Sequence, residues 1–260
     1  MQHERTDGAD GAPARPRLPT GERLRPDPEA WVPPDEVPRP DGAARVPPDE
    51  VPRPDGAARV PPGQHLADGW PVMHYGRPPT FRPEAWDFQV LGSTHDGGST
   101  RWSYDDFRAL PQSDVVADFH CVTKFTMLDN TWSGVLAATL VAAAPPDRDV
   151  THVLVWADRG YTTNLRLADL LAPSTVFAHA RDGADLSVDH GWPLRLVVPH
   201  LYGWKGPKWV RGLEYLTADR RGFWEERGYH NVGDPWREQR YSYQEDPGDG
   251  PPPGSAVNVP

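Results

Sequence analysis

From Pro71 onward short apolar runs alternate with turn signals, whereas the first sixty residues hold turn-forming residues without such apolar runs between them. The clearest runs are Val115 to Val122, His152 to Trp156, Leu194 to Val198 and Trp209 to Leu216, rich in β-branched and aromatic side chains, and they predict strands. Helix signals are fewer. Ser103 to Leu110 has Asp105 and Asp106 in its first turn, Leu165 to Leu171 follows the cap candidate Asn164, and Ala218 to Gly228 holds Phe223, Trp224 and Glu225. Strands that outnumber helices without alternating with long ones predict a mixed, strand-dominated α+β fold and argue against a doubly wound parallel sheet. Neither a Gly-x-Gly-x-x-Gly nor a P-loop pattern is present.

Proline divides the chain. Fifteen of the 32 prolines precede Gly63, in a stretch whose one aromatic residue is Trp31. Such a segment buries too little apolar surface to offset the entropy of ordering it, so residues 1–60 are expected to be a disordered, polyproline-like tail. Within it VPPDEVPRPDGAAR at residues 32–45 recurs unchanged at 46–59, and Val60-Pro61-Pro62 opens a third copy. Two such units cannot stack into a solenoid, and their composition reads first as a spacer and second as a recruiting ligand. The folded unit is expected over residues 61–242, with ten of the eleven tryptophans, followed by a flexible tail at 243–260.

Net charge is −10; residues 1–60 hold nine Lys/Arg and twelve Asp/Glu, or −3, leaving −7 for the rest. A body of that sign has no general attraction for a phosphate backbone, which argues against nucleic acid as a partner. No run approaches the length of a transmembrane helix, and the first twenty residues lack the apolar core of an export signal. A cytoplasmic location is expected, and a single free thiol suits a reducing compartment.

That thiol is Cys121, inside Ala117-Asp118-Phe119-His120-Cys121-Val122-Thr123. On a strand Phe119 and Cys121 point one way and His120 and Val122 the other, so Cys121 and His120 need not meet as a nucleophile and base. One sulfur with no His-x-x-Glu-His or His-Glu-x-x-His pattern argues against a zinc site, and it is too few for an iron–sulfur cluster with four protein thiolates. A buried apolar role is the plain alternative for Cys121. A second dense region, Pro193 to Trp209, reads as strand, loop, strand; its loop concentrates Lys205, Gly206, Pro207 and Lys208. It is either a solvated basic turn or an anion site.

Together these regions resemble the molybdopterin-binding domain of the sulfite oxidase superfamily, in its small, single-domain bacterial form. The residues that carry the likeness are Ala117 to Thr123, Gly160-Tyr161-Thr162-Thr163-Asn164-Leu165, Gly191 to Lys208, Lys208 to Gly212 and Gly228-Tyr229-His230, spread over roughly residues 61 to 242. The resemblance implies a mononuclear molybdenum oxidoreductase that moves an oxygen atom to or from a small, sulfite-like or sulfoxide-like substrate. It implies molybdenum–molybdopterin as cofactor and Cys121 as metal ligand, a soft thiolate suiting a metal already held by sulfur. It further implies cofactor contacts from His74, Tyr75, His120, Thr123, His190, Arg195, His200, Lys205, Gly206, Pro207 and Lys208, with Tyr161 and Asn164 near the reacting centre. Sulfite-oxidising members surround the metal with arginines, but here Val122, Thr123, Lys124 and Phe125 follow Cys121. With no second cofactor motif, electrons are expected to pass through a separate haem, flavin or quinone-linked protein. A non-catalytic binding protein that keeps the fold, recruiting partners through its proline-rich tail, is the alternative.

Overall fold

A computed structural model describes residues 59–251; the expected disordered tail up to residue 58, with the first repeat and all of the second but Arg59, and residues 252–260 lie outside the described residues. In chain order the elements are β1 (His65–Leu66), β2 (Asp87–Gly92), β3 (Thr100–Ser103), α1 (Tyr104–Arg108), β4 (Ser113–His120), β5 (Phe125–Leu136), α2 (Ala137–Ala143), β6 (His152–Ala157), β7 (Thr162–Arg166), α3 (Leu167–Leu170), β8 (Val176–Arg181), β9 (Ala184–Asp185), β10 (Arg195–Val197) and β11 (Val210–Leu216). They form two sheets. One runs β1-β5-β8-β10, with β4 on β5 and β9 on β8; the other runs β3-β2-β11-β6-β7. The fold is the strand-dominated mixture that the apolar runs predict, and β1–β5 and β2–β11 are its parallel pairs.

A shared core fills the space between the sheets. Phe88, Val90, Val153, Val155 and Leu213 of one sheet pack with Val135, Phe177 and Leu196 of the other. A second cluster, Phe119, Cys121, Phe125, Met127, Trp132 and Val197, lies on the first sheet and puts the thiol at the sheet end where β4 turns into β5.

Helix α1 forms where its acids predict. Ser103 caps it, accepting from the Asp106 N–H at 3.2 Å while Asp106 accepts from the Ser103 N–H at 3.4 Å, a reciprocal box that satisfies two end donors. The other two helices need correction. Asn164 is not a cap: it lies within β7, paired with Leu154 of β6, and only Leu167–Leu170 turn helical behind it. Residues 218–228 form no α-helix, and Glu225–Arg227 make one 3-10 turn. The reason is contact with β7. The Phe223 N–H donates to Thr162 O at 2.8 Å, and a side chain at Gly222 would collide with Thr163 backbone, so the segment runs against the strand rather than coiling away from it.

Both ends of the body extend past the expected boundaries. Arg59 is already tied down by Asp118 and Asp129. At the other end Glu245 forms a two-oxygen pair with Arg221 at 2.8 and 2.5 Å, and Asp249 O accepts from Asn231 Nδ2 at 2.6 Å, so residues 243–251 engage the body instead of trailing from it.

Candidate active site

Cys121 sits at the first residue of a tight reversal. Its N–H donates to Phe125 O at 2.8 Å and its carbonyl accepts from the Lys124 N–H at 3.0 Å, with Lys124 in the left-handed region at φ 75. That turn brings Thr123 back over the sulfur, so the Thr123 hydroxyl donates to Sγ at 3.1 Å. Burial pushes the thiol pKa up; Thr123, Arg195 and Lys208 oppose the shift. Those two cations come from the second dense region. Leu196 N–H donates to Pro207 O and Val210 N–H to Leu194 O, both at 3.0 Å, which sets Arg195 directly across from Lys208. Gly206 makes the turn possible, because a side chain there would strike Leu196 O. Gly191, at φ 118, crosses so close to both cations that a Cβ would lie 3.0 Å from Arg195 Cβ and 3.3 Å from Lys208 Cβ.

Arg195 is 3% exposed and packs its guanidinium over the rings of Phe119 and Trp70, at 5.0 and 5.3 Å. Burial lowers its pKa to about 10. Lys208 falls further, to about 7, through burial and then repulsion from Arg195, while its Nζ donates to Asp189 O at 2.6 Å. His190 stacks face to face on Trp70 at 3.9 Å, and Arg181 covers the same indole at 4.6 Å. Burial, then Lys208, Arg195 and Arg181, hold His190 down to about 4.

Protonation of His190 is therefore linked to folding. Its pKa lies below the ordinary 6.5, so between those values the unfolded chain binds the additional proton and stability falls as pH drops from about 6.5 to about 4. Urea titrations across that range are expected to show this slope, and His190→Gln is expected to flatten it; an unchanged slope contradicts the assignment.

His74 joins the group from the other side. Its Nδ1 meets Gly76 O at 2.8 Å, its Nε2 is 3.9 Å from Asp189 Oδ1, and its ring packs against Trp209 at 5.3 Å. Tyr75 and Tyr161 flank Phe223 at 4.9 and 5.8 Å. The Tyr161 hydroxyl donates to Trp204 O at 2.6 Å, and burial, with Glu225 and Tyr229, raises its pKa well above the ordinary value, so the phenol keeps its proton beside Arg195.

Four expected site residues are placed elsewhere. Lys205 is 1% exposed, and its ammonium is fully committed: Asn164 Oδ1, Glu225 Oε1 and Asn231 O accept from it at 2.9, 2.8 and 2.8 Å. An ammonium with three donors and three protein acceptors has none left for a phosphate. Asn164 belongs to the same network, its amide donating to Asp219 and Asn231 at 2.7 and 2.9 Å, which removes it from the reacting centre. His200 pairs with Asp169 at 3.0 Å, and His120 turns to the opposite face of β4, within 3.0 Å of Thr126 Oγ1. Sequence reasoning in turn missed Trp70 and Arg181. Neither lies in a motif, and their convergence on His190 follows only from pairing β5 with both β1 and β8.

Residues 74–224, more than half the chain, match the family model described as the oxidoreductase molybdopterin binding domain. The chain belongs to that family. The uncharacterised oxidoreductase YuiH of Bacillus subtilis is 40% identical over 181 residues, covering 69% of this chain and 90% of its own length. A putative protein-methionine-sulfoxide reductase subunit, YedZ1, of Azospira oryzae is 29% identical over 160 residues, 62% of this chain and 61% of the relative. Mitochondrial sulfite oxidase of Drosophila melanogaster is 24% identical over 178 residues, and the match spans 58% of this chain and 30% of that protein. Among solved structures, the sulfane dehydrogenase SoxCD of Paracoccus pantotrophus superposes with a TM-score of 0.51 at 18% identity, covering 56% of this chain and 42% of that one. The protein is thus a molybdopterin-binding oxidoreductase with the fold of the sulfite oxidase group.

Its residues fit such a cofactor. Arg195 Nε and His190 Nδ1 are buried without a hydrogen-bond partner, and leaving such donors unmatched is costly. A phosphate between Arg195 and Lys208 would satisfy the guanidinium and relieve the repulsion that depresses Lys208. The thiol beside them is the one thiol of the chain and offers a soft, charged ligand when deprotonated.

Proposed function

We propose that the protein transfers an oxygen atom to or from a small substrate at a mononuclear molybdenum centre bound through Cys121, and exchanges electrons with a separate redox protein. The observation that carries this reading is the single thiol beside Arg195 and Lys208, in a buried cluster where Arg195 Nε and His190 Nδ1 lack hydrogen-bond partners. When bound, the molybdopterin cofactor supplies two-electron redox chemistry coupled to oxygen-atom transfer. The chain's own residues perform four tasks. Cys121 offers the thiolate, and Thr123 donates to it and fixes its direction. Arg195, Lys208 and neutral His190 offer hydrogen bonds to the phosphate-bearing part of the cofactor. Trp70, Phe119 and Trp132 exclude water around them. Tyr161 holds a proton at its phenol oxygen near Arg195, fixed by Trp204 O.

Support for the substrate class comes from the relatives, which include a putative methionine-sulfoxide reductase subunit and a sulfite oxidase. The chain spans less than two thirds of both, so substrate and direction remain part of the proposal. The separate partner rests on a similar footing: relatives are described as subunits. No helix among the described residues is long and apolar enough to cross a membrane. The compartment we propose is the cytoplasm, which cell fractionation tests.

Protein purified from cells that make the cofactor is expected to contain molybdenum and pterin near one per chain. It is expected to turn over with a sulfite-like donor and an artificial acceptor, or with a sulfoxide and an artificial donor. Protein without molybdenum from such cells would contradict the proposal. Arg195→Gln is expected to cut bound pterin by roughly tenfold or more, the loss of a buried charge-assisted contact, with Cys121 intact; wild-type pterin content in that variant would remove Arg195 from the phosphate site.

A further inference from the structure

The repeated proline-rich unit meets the body at a built socket. Arg59 clamps two carboxylates, donating to Asp118 at 3.3 and 2.7 Å and to Asp129 at 3.2 and 2.7 Å. A bulge in the β4–β5 pair between Ala117 and Phe119 sets these acids side by side. Asp129, at φ 56, also donates its N–H to Asp118 Oδ1 at 2.9 Å. Two carboxylates held that close repel one another unless a cation stands between them. The next residues complete the seat: Val60 is 1% exposed, Pro61 is buried, and Pro62 O accepts from Arg240 Nη2 at 3.4 Å.

The seated sequence is Arg59-Val60-Pro61-Pro62, and the chain contains it twice. Arg45-Val46-Pro47-Pro48 lies fourteen residues earlier. The first repeat also opens with Val32-Pro33-Pro34, but Trp31 precedes it, so it lacks the cation.

We propose that the Asp118/Asp129 socket is a binding site for Arg-Val-Pro-Pro segments and that Arg45–Pro48 is its second ligand, exchanging within one chain with Arg59–Pro62. The four contacting residues are identical, so exchange reproduces each of their contacts. What it adds is closure of residues 49–62 into a loop, an entropic cost that rises only slowly with loop length. Asp49, Pro52, Pro54, Asp55 and Gly56 give that loop turn-forming composition. The socket holds the start of the strap that leads to the cofactor site: Gln64 Nε2 donates to Cys121 O at 3.2 Å, and Trp70 at the far end stacks on His190. A duplicated clasp keeps this strap seated when the nearer copy is released.

Amide hydrogen exchange of His65 and Ala67, which donate to Lys124 O and Thr126 O at 2.9 and 3.0 Å, reports whether the strap is seated. In the full chain, Arg45→Glu alone is expected to change nothing. Arg59→Glu ejects the nearer copy by charge reversal and is expected to speed exchange by less than about threefold, because the upstream copy replaces it. The two substitutions together are expected to speed it by about tenfold or more. Adding Trp31→Arg to that double variant creates a new Arg-Val-Pro-Pro at residues 31–34 and is expected to restore protection. The proposal fails if the double variant exchanges no faster than Arg59→Glu alone, or if Trp31→Arg restores nothing. A rescue that strengthens with protein concentration also overturns it, since the second ligand would then come from another copy.

Discussion

Cys121→Ser is expected to strip molybdenum and turnover from the protein while leaving it folded. The substitution removes the one thiol the chain can offer, and a hydroxyl is a hard, protonated ligand that does not replace a soft thiolate. The loss of metal should exceed the roughly 10- to 100-fold that follows from removing a mere outer-sphere partner of a metal ligand. Stability should change little, because serine is nearly isosteric and the Thr123 hydroxyl, 3.1 Å from Sγ, is placed to pair with the new oxygen. Pterin is expected to persist in part through Arg195, Lys208 and His190, which the substitution does not touch. Elemental analysis, pterin fluorescence and thermal melting on the same preparation separate these outcomes. Full turnover in Cys121→Ser would remove the thiol from the chemistry.

Lys205→Ala is expected to be the most destabilising single change in the body. It leaves Glu225, which is 0% exposed, as a buried carboxylate whose remaining donors are Thr163 Oγ1 and Trp204 Nε1 at 2.9 and 3.1 Å. Breaking a buried ion pair from one side costs about 3–5 kcal/mol, because the surviving charge has lost its counter-ion. Removing both charges with residues of similar shape, Lys205→Met with Glu225→Gln, is expected to recover much of that loss, since no ion is stranded. Chemical denaturation of Lys205→Met, Glu225→Gln and the double variant measures the cycle, with Lys205→Ala beside them. A loss below about 1 kcal/mol for Lys205→Ala would mean that water reaches the pair. The pair also holds Trp204, whose carbonyl fixes Tyr161, so the single variants should show reduced turnover that the double variant partly regains.

Lys205 shows why the site was only half legible in the sequence. Two lysines three residues apart on one glycine-rich loop look alike in composition, yet the loop sends Lys208 toward the thiol and Lys205 into the body. Only the three acceptors that converge on Lys205 from β7, residue 225 and residue 231 distinguish them. Asn164 was misread for a related reason. An asparagine before an apolar run is a natural cap, but its strand pairing with Leu154 is a long-range fact that overrides local preference. The structure brings Cys121, Arg195 and Lys208 together, but their expected roles came from the family resemblance, since alternation along one strand and charge within one loop left both a buried thiol and a solvated basic turn open.

Strand β5 illustrates the same limit in the fold. Asp129, Asn130 and Ser133 interrupt its apolar pattern, and Asn130 is fully buried with its amide donating to Ala117 O and Met127 O at 3.2 and 2.9 Å. Asp129 and Asn130 lie at the bulge that presents Asp118 and Asp129, so the longest strand carries an interrupted strand signal. The short strands β6, a continuous apolar run, and β11, whose apolar residues recur around Arg211 and Glu214, match the expected runs almost to the residue.

X-ray absorption at the molybdenum edge of the loaded wild-type protein counts the sulfurs on the metal. Three sulfur ligands are the predicted result, two from the pterin dithiolene that the family resemblance implies and one from the Cys121 thiolate. Two sulfurs, with none left for the protein, would contradict the assignment of Cys121 to the metal.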